Sequence, residues 1–268
     1  GLMRQRLDRP YVREDGMLRE ASWDEAFNAI ADQVKSNSGD RIAAIAGDLC
    51  DTESMFALKQ VMIALGSKNI DCRQDGAKLS SGARGSYVLN TGIAELENAD
   101  AVLLVGTNPR WEAPLVNTRL RKAWLNAGAR IGIVGPQLEL SYPSEYLGAG
   151  PETLAAIADG SHEFAEVLKS AEHPVIILGM GALTRADGEA VLATARKLAD
   201  TCNVIRDDWN GFNVLHNAAA RVGGLDIGFV PGEGGRDTAG ILAGAEAGDI
   251  DVVFLLGADE IDTAKLEK

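Results

Sequence analysis

Residues Ala101–Pro109 read AVLLVGTNP, and this stretch decides the fold class. Its apolar residues do not alternate with polar ones and end at Gly106, a pattern typical of a parallel strand buried on both faces. Comparable runs recur at Ile42–Gly47, Ala129–Gly135, Pro174–Gly179, Cys202–Arg206 and Val252–Gly257. Helical stretches separate them, notably Asp51–Leu65, Leu115–Asn126 and Asp187–Asp200. Strands that alternate with helices indicate an α/β protein with mainly parallel sheets.

Composition excludes several classes of protein. The chain has 268 residues, enough for one large domain or two, and 46% of them are hydrophobic. Its formal net charge of −13 argues against nucleic-acid binding through a basic face. The three cysteines form no C-x-x-C pair, which excludes a disulfide framework, a zinc ribbon and a self-contained iron–sulfur site, and fits a reducing compartment. No apolar run reaches the roughly 18 residues of a membrane helix, so we expect a soluble protein without direct membrane insertion.

Three segments bear on the organisation of the chain. Residues 1–20 are charged and aperiodic, so we expect an extended strap. Ser22 begins a helix as its N-cap, and Glu25 completes a capping box. The stretch Tyr142–Pro151 is the predicted crossing between two lobes, and Gly223–Gly235 is a predicted loop because of its glycine content.

Candidate binding residues follow the predicted strands, since open α/β sheets bind ligands beyond the carboxyl ends of their strands. Glycines in these turns either let a nucleotide approach the backbone or only allow tight turns, and the residues alone leave both possibilities open. Neither a G-x-G-x-x-G nor a phosphate loop is present. Histidines with metal-ligand spacing and a nucleophile elbow are also absent from the sequence, so we predict no catalytic and no metal-binding residues. The candidate turn residues are Gly106, Thr107, Asn108, Gly135, Gln137, Gly179, Gly181, Gly257 and Asp259.

Longer motifs carry a family resemblance. Asn98–Pro114 (NADAVLLVGTNPRWEAP), with the N-terminal pattern Arg9–Ala26, resembles the molybdopterin oxidoreductase superfamily. Asp71–Tyr87 (DCRQDGAKLSSGARGSY) and Trp209–Pro231 (WNGFNVLHNAAARVGGLDIGFVP) are similar to one branch of it. That branch is the large iron–sulfur subunit of respiratory complex I, the NADH:quinone oxidoreductase.

The resemblance implies a fold and a domain arrangement. The fold would be that of formate dehydrogenase-like molybdopterin oxidoreductases, with two Rossmann-like lobes, in a truncated form. Residues 21–75 and 165–268 would form a first, discontinuous lobe, and residues 76–164 an inserted second lobe. In pterin-binding relatives, turns like the candidate ones hold the guanine-nucleotide arms of the cofactor across the cleft.

Departures from the family pattern bear on the cofactor. Catalytic relatives place a Cys, selenocysteine or Ser metal ligand where this chain has Ala77 or Lys78, and Cys72 comes several residues too early. Relatives with a V-D-P-R turn offer an acidic residue where this chain has Val134–Gln137 (VGPQ). We therefore expect the molybdopterin to be lost. The iron–sulfur clusters are expected in an N-terminal part of the parent subunit outside this chain.

These observations favour a scaffold domain of complex I whose partners are other complex I subunits. We expect it at the membrane periphery, on the cytoplasmic side in bacteria or the matrix side in mitochondria. The alternatives are a catalytically active, formate dehydrogenase-like molybdopterin oxidoreductase and a small-molecule-binding module with a vestigial nucleotide site. Trp209 and Phe212 either contact neighbours or cap the core, and arginines favour interfaces as well. The predicted interface residues are Arg4, Arg6, Arg9, Trp209 and Phe212.

Overall fold

Five of the six predicted apolar runs form strands of parallel sheets, so the predicted α/β class is confirmed. The computed structural model describes residues 7–262 and Leu266. The strands are β1 (Tyr11–Glu14), β2 (Met17–Glu20), β3 (Ile42–Ala46), β4 (Asn69–Asp71), β5 (Ala101–Val105), β6 (Arg130–Val134), β7 (Glu145–Gly148), β8 (Pro174–Gly179), β9 (Phe212–Leu215) and β10 (Val252–Leu256).

Capping residues set several helix starts, as the sequence predicted for Ser22. The Ser22 hydroxyl accepts a hydrogen bond from the Glu25 N–H (3.2 Å), and Asp51 caps the next helix through the Ser54 N–H (2.7 Å). None of the helices within residues 7–262 is long and apolar enough to cross a bilayer. The helices are α1 (Trp23–Lys35), α2 (Thr52–Ala64), α3 (Pro109–Glu112), α4 (Pro114–Ala127), α5 (Pro151–Asp159), α6 (Phe164–Ser170), α7 (Met180–Leu183), α8 (Gly188–Thr201), α9 (Arg221–Asp226) and α10 (Thr238–Ala247).

The larger sheet has five parallel strands in the order β7-β6-β5-β8-β9. Its central strand β5 is buried along its whole length because helices cover both faces. Leu103 packs in the cluster that includes Phe164 of α6 and Leu198 of α8, whereas Leu104 packs in the cluster with Leu120 of α4. Covered faces on both sides explain why this strand reads as an unbroken apolar run.

The smaller sheet has three parallel strands in the order β10-β3-β4. On one face, Ala44 of β3 belongs to the cluster that contains Met55 and Met62 of α2, and on the other, Ile45 packs with Ile241 of α10. The strand β10 lies at the edge of the sheet, and its residues are half-buried or exposed.

The predicted strap over residues 1–20 is in part an antiparallel hairpin. β1 pairs with β2, and the turn between them is Asp15-Gly16, with φ angles of 49° and 79°. Positive φ at both central residues is the hairpin turn that Asp-Gly favours. This dipeptide between two short strands is the signal that the strap interpretation missed. Residues 1–6 lie outside the described residues.

One predicted strand and two predicted connections have different structures. Cys202–Arg206 is not a strand, because the chain folds back on itself there: the Arg206 N–H donates to the Trp209 carbonyl (2.7 Å), and β9 takes the sheet position. The predicted crossing Tyr142–Pro151 contains the edge strand β7, and the predicted loop Gly223–Gly235 begins inside α9.

The sheets also divide the strands differently from the predicted lobe bounds. β8 pairs with β5 along its length, and β9 pairs with β8. Strand pairing therefore places residues 174–179 and 212–215 with the inserted lobe, although both ranges were expected in the first lobe. The strands β3, β4 and β10 share the smaller sheet. The division of the remaining residues into domains stays a prediction.

Candidate functional site

Three of the predicted turns lie side by side, because β6, β5 and β8 are neighbouring parallel strands whose carboxyl ends share one sheet edge. Gly106, Gly135 and Gly181 line one open cleft there, together with Pro151 and Arg185. The cleft has a volume of about 100 Å³. Pockets for small molecules usually measure about 300–1,000 Å³. Three of the four predicted turns therefore lie together, around a space smaller than a nucleotide needs.

Close packing of the chain against itself explains the glycines in these turns. A Cβ atom on Gly181 would lie 2.6 Å from the Gly106 carbonyl oxygen, and one on Gly179 would lie 2.4 Å from Cβ of Thr107. Gly106 has a φ of +60°, and its Cβ would lie 2.5 Å from the backbone nitrogen of Ala182. Each position thus requires glycine for a tight turn without any ligand present.

The polar groups of the first turn serve the local structure. The Thr107 hydroxyl donates to Oε2 of Glu112 (2.7 Å), and the Asn108 N–H donates to Oε1 of the same residue (2.9 Å). The Asn108 side-chain oxygen accepts from the Arg110 N–H (3.2 Å) and so caps the short helix α3. Gln137 is exposed and does not line the cleft. Thr107 and Asn108 therefore hold the turn in place, and neither lines the cleft.

The fourth predicted turn lies at the end of β10, in the smaller sheet. Gly257 has a φ of +53°, and its carbonyl oxygen would lie 1.7 Å from a Cβ on Gly47. Asp259 is exposed, and neither Gly257 nor Asp259 lines the cleft beside Gly106. The neighbouring Glu260 accepts a hydrogen bond from the Gln74 amide (2.6 Å). The turn thus packs against the end of β3.

The residues at the family's metal position do not fit a molybdopterin centre. Ala77 is 1% exposed and has no donor atom, and Lys78 offers an ammonium group. Cys72 is buried, and a Cβ on Gly224 would lie 2.7 Å from its sulfur, so that sulfur is enclosed by the protein. Burial raises the pKa of the Cys72 thiol to about 12, whereas metal ligation requires a thiolate. Within the described part of the chain, no group of three or more His, Cys, Asp or Glu side chains could hold a metal ion.

A buried ion-pair cluster that the sequence did not predict lies where the two sheets meet. Arg221 of α9 is 1% exposed, and its Nη2 lies 3.0 Å from an Asp75 oxygen and 3.7 Å from an Asp48 oxygen. Its Nε donates to the Cys72 carbonyl (3.2 Å), and Nη1 lies 3.9 Å from the Met180 sulfur. We refer to these five residues as the Arg221 cluster.

The Arg221 cluster connects both sheets through one side chain. Asp48 follows β3, and Cys72 and Asp75 follow β4, all in the smaller sheet, whereas Met180 directly follows β8 of the larger sheet. A buried guanidinium is tolerated when carboxylates and a carbonyl compensate its charge. Of the charged groups here only the guanidinium is buried, whereas the side chains of Asp48 and Asp75 are 25% and 34% exposed. The cluster is therefore a structural tie between the sheets.

His216, at the end of β9, adds a titratable group beside this cluster. Its Nε2 lies 2.5 Å from the Tyr87 carbonyl oxygen, which fixes the proton on that nitrogen, while the buried Nδ1 has no hydrogen-bond partner. Burial lowers the pKa of His216 and Arg221 lowers it further, while the hydrogen bond to the Tyr87 carbonyl and the charge of Asp75 act in the opposite direction. The imidazole is consequently neutral at neutral pH.

Sequence reasoning missed the Arg221 cluster because its members are far apart along the chain. Arg221 and its hydrogen-bond acceptor Cys72 are 149 positions apart. One local signal was available: Arg221 stands among small apolar residues in Ala218–Leu225 (AAARVGGL), where a solvated arginine is unexpected. Such a signal identifies a buried cation but not its partners.

The predicted interface residues have different environments. Phe212 is 1% exposed within β9, so this side chain belongs to the core and is unavailable to a partner. Trp209 is half-buried: its indole N–H donates to the Pro174 carbonyl (2.9 Å), and its ring lies 4.6 Å from that of His173. Arg9 is exposed and pairs with Glu20 (2.9 Å). Arg4 and Arg6 lie outside the described residues.

Comparison with known sequences defines the family of the chain. The sequence signature described as molybdopterin oxidoreductase matches residues 6–268, nearly the whole chain. The chain therefore belongs to the molybdopterin oxidoreductase family, and the family resemblance inferred from its motifs is confirmed.

Two relatives show a more specific similarity. The chain is 44% identical over 267 residues to a subunit of the NADH-quinone oxidoreductase of Rickettsia bellii (strain RML369-C), a match that covers 100% of this chain and 38% of the relative. It is 42% identical over 267 residues to NADH dehydrogenase (ubiquinone) iron-sulfur protein 1, mitochondrial, of Solanum tuberosum, with coverage of 99% and 35%. The chain thus spans little more than a third of the length of these curated relatives.

A solved structure shares the fold. The crystal structure of the formyltransferase/hydrolase complex (FhcABCD) from Methylorubrum extorquens in complex with methylofuran contains a chain that superposes with a TM-score of 0.56. The match covers 80% of this chain and 64% of that chain, at 19% sequence identity. This similarity concerns the fold alone.

Proposed function

We propose that the chain is a scaffold domain of the large iron–sulfur subunit of NADH:quinone oxidoreductase. In this role it holds neighbouring subunits in position while clusters outside these 268 residues transfer electrons. One observation carries the proposal: the relatives that match the chain over almost its whole length are named as subunits of this oxidoreductase.

The chemistry of the cleft supports a structural role. The turns that hold nucleotides in pterin-binding relatives are here packed against one another, and Ala77 stands at the metal position. Cys72 is enclosed and protonated at neutral pH. The polar groups that do converge, around Arg221, compensate one another's charge and tie two sheets together. The residues at the metal position and in the cleft therefore favour a scaffold over a molybdopterin-dependent catalyst.

Location and partners follow from the same proposal. The domain would lie at the membrane periphery, on the cytoplasmic side of the bacterial inner membrane or on the matrix side in mitochondria. Its partners would be other subunits of the same complex. The iron–sulfur clusters would be bound by the remaining part of the parent subunit, consistent with a relative named as an iron–sulfur protein.

Capture of the native parent tests the proposal. An antibody against this chain is used on detergent-solubilised membranes, and the captured material is assayed for NADH–ferricyanide reductase activity and for metals. We expect NADH-dependent activity together with a set of co-captured subunits. Preincubation of the antibody with the purified chain is the control and should abolish capture. Molybdenum or tungsten in the eluate without NADH activity would contradict the proposal and support a pterin enzyme.

A further inference from the structure

Cationic side chains that lack a partner gather in one groove of this acidic protein. Within residues 7–262, nearly every lysine and arginine side chain makes a hydrogen bond or an ion pair. The exceptions are Lys35, Lys78, Arg121, Arg196 and Lys197, and three of them line the same groove. Since the whole chain has a net charge of −13, such a concentration of unpaired positive charge is not a consequence of composition.

The groove lies between the loop that follows β4 and the helix α8. Its volume is about 610 Å³, and Leu192 and Ala193 give it an accessible apolar wall, whereas Leu79 is 2% exposed and belongs to the core beneath it. It runs along α8 from Glu189 to Asp200. These twelve helical residues are separated by eleven rises and span about 16 Å, which is the length of roughly five residues of extended chain.

Charges in the groove fall into three groups, of which the first is acidic: Glu189 and Asp200 line the groove beside the cations. Arg73 is compensated, because its Nε donates to an Asp71 oxygen (2.8 Å) and its Nη1 donates to the Leu79 carbonyl (2.7 Å). Arg196 and Lys197, in contrast, have no hydrogen-bond or ion-pair partner in the described part of the chain. Arg196 and Asp200 stand four residues apart on α8 without pairing, although this spacing permits an ion pair.

The character of the lining favours a polypeptide over a small anion. Sites for small molecules contain convergent polar groups that fix the orientation of the ligand. None of the groove's described side chains has a buried polar atom without a partner, and Arg196 and Lys197 are exposed on flexible stems. An elongated groove with an apolar wall and exposed cations resembles a protein interface, which combines an apolar core with a polar rim.

We propose that this groove binds an extended acidic segment of a neighbouring polypeptide. Carboxylates of the segment would pair with Lys78, Arg196 and Lys197, and an apolar side chain would pack on the half-buried Leu192 and the exposed Ala193. The identity of that neighbour as a complex I subunit rests on the proposed function, whereas the chemistry of the segment rests on the groove alone.

Binding of a defined peptide to the full purified chain tests the chemistry. The probe is fluorescein-labelled Glu-Glu-Leu-Glu-Glu, with Gln-Gln-Leu-Gln-Gln as the neutral control, and binding is followed by fluorescence anisotropy at low salt. The double variant R196Q/K197Q should weaken binding of the acidic peptide about fivefold or more. The matched double variant K35Q/R121Q removes one lysine and one arginine that are also unpaired, and it should bind like the unmodified chain.

Several results would overturn the proposal. Equal weakening by both double variants would mean non-specific attraction, and absence of any binding would remove the groove as a docking site. Full displacement of the peptide by equimolar pyrophosphate would indicate a small-anion site. These measurements do not involve NADH activity, so they separate failure of the groove from failure of the proposed function.

Photo-crosslinking in the native complex identifies the segment that occupies the groove. Ala193 faces the groove and is exposed, so Ala193→p-benzoylphenylalanine places a reactive group there with little disturbance. Mass spectrometry of the crosslinked peptide should reveal a segment rich in Asp and Glu. A crosslink to a basic or uncharged segment, or no crosslink at all in the assembled complex, would overturn the proposal.

Discussion

The two parallel sheets use nearly the same local sequence in different surroundings. AVLLV in β5 and VVFLL in β10 are both unbroken apolar runs that precede a glycine. β5 is the central strand of the larger sheet and is buried along its whole length. β10 is an edge strand whose residues are half-buried or exposed, and α1, which helps to line the groove beside it, has no buried residue.

This difference shows what an apolar run does and does not specify. Such a run indicates a strand, since its residues favour extended structure, but burial depends on which elements pack against the strand. The larger sheet is covered on both faces by residues of this chain, whereas the smaller sheet leaves apolar surface at β10. The Arg221 cluster joins the well-covered sheet to the less covered one, so substitutions in and around it can measure how far the two sheets depend on each other.

Replacement of Arg221 should have the largest effect on the free energy of unfolding, and this effect should involve both sheets. Arg221→Met removes the cation that contacts residues from both sheets and leaves Asp48 and Asp75 without it. We expect a loss of about 3–5 kcal/mol in the free energy of unfolding, measured by urea denaturation with probes in each sheet. Arg84→Gln is the control, because its ion pair with Asp226 is largely exposed and should contribute less than about 1 kcal/mol. Similar losses of stability for both variants would show that the buried Arg221 cluster contributes no more than an exposed ion pair.

A matched pair of leucines measures the difference between the sheets directly. Leu103 in β5 is 0% exposed, and Leu255 in β10 is 39% exposed. Leu103→Ala should cost about 2–5 kcal/mol because it opens a cavity in a packed core. Leu255→Ala should cost less than about 1 kcal/mol, since surface substitutions have small effects. Both changes are measured by urea unfolding of the isolated chain, and equal costs would mean that β10 is as well packed as β5.

Sequence patterns predicted the fold class and five of the ten described strands, because these depend on local composition. The run at Pro174–Gly179 was sufficient to predict β8, and Ser22 to predict the start of α1. Sheet membership was not predictable from the runs, because β8 and β9 pair with β5 through contacts between residues far apart in sequence. The family resemblance supplied a division into lobes that strand pairing does not follow at these two strands.

The candidate site was predictable only in part, for a related reason. The turn glycines were found because ligand sites and tight turns share the same residue type, so sequence could not distinguish an open cradle from turns packed on one another. A Cβ on Gly181 would lie 2.6 Å from the Gly106 carbonyl oxygen, which favours packed turns over an open cradle. Arg221, Asp48 and Asp75 had no common motif, since Arg221 begins α9 whereas Asp48 follows β3 and Asp75 follows β4.

A glycine substitution tests how closely the turns of the larger sheet pack against one another. Gly179→Ala places a Cβ 2.4 Å from Cβ of Thr107, so the turn must shift, and we expect a cost of about 1–3 kcal/mol. Gly82→Ala is the matched control, because its nearest neighbour is the Ser80 hydroxyl at 3.5 Å. Thermal unfolding should show a clearly lower Tm for the first variant and little change for the second. An unchanged Tm for Gly179→Ala would indicate that the turns are loose enough to admit a ligand.

Protonation of His216 should have the smallest effect on the free energy of unfolding, and this effect is confined to a range of pH. Burial lowers the pKa of His216 in the folded chain below its value of about 6.5 in an unfolded chain. As the pH falls through about 6.5, the unfolded chain therefore binds a proton before the folded chain does. The stability associated with neutral His216 is complete above this pH and decreases as the pH falls towards the folded pKa, with a slope of at most about 1.4 kcal/mol per pH unit.

The matched variant His216→Gln isolates this contribution. The glutamine amide can still donate to the Tyr87 carbonyl but does not titrate, so the free energy of unfolding of the variant should be flatter between pH 7 and about 5.5. Comparison of urea unfolding curves for the two proteins at each pH cancels the contributions of carboxylates common to both. Because His216 follows β9 and adjoins Arg221, a steeper loss in the unmodified chain would mean that protonation acts at the junction of the two sheets. Parallel pH profiles would show that His216 is solvated and that the larger sheet is not closed at this end.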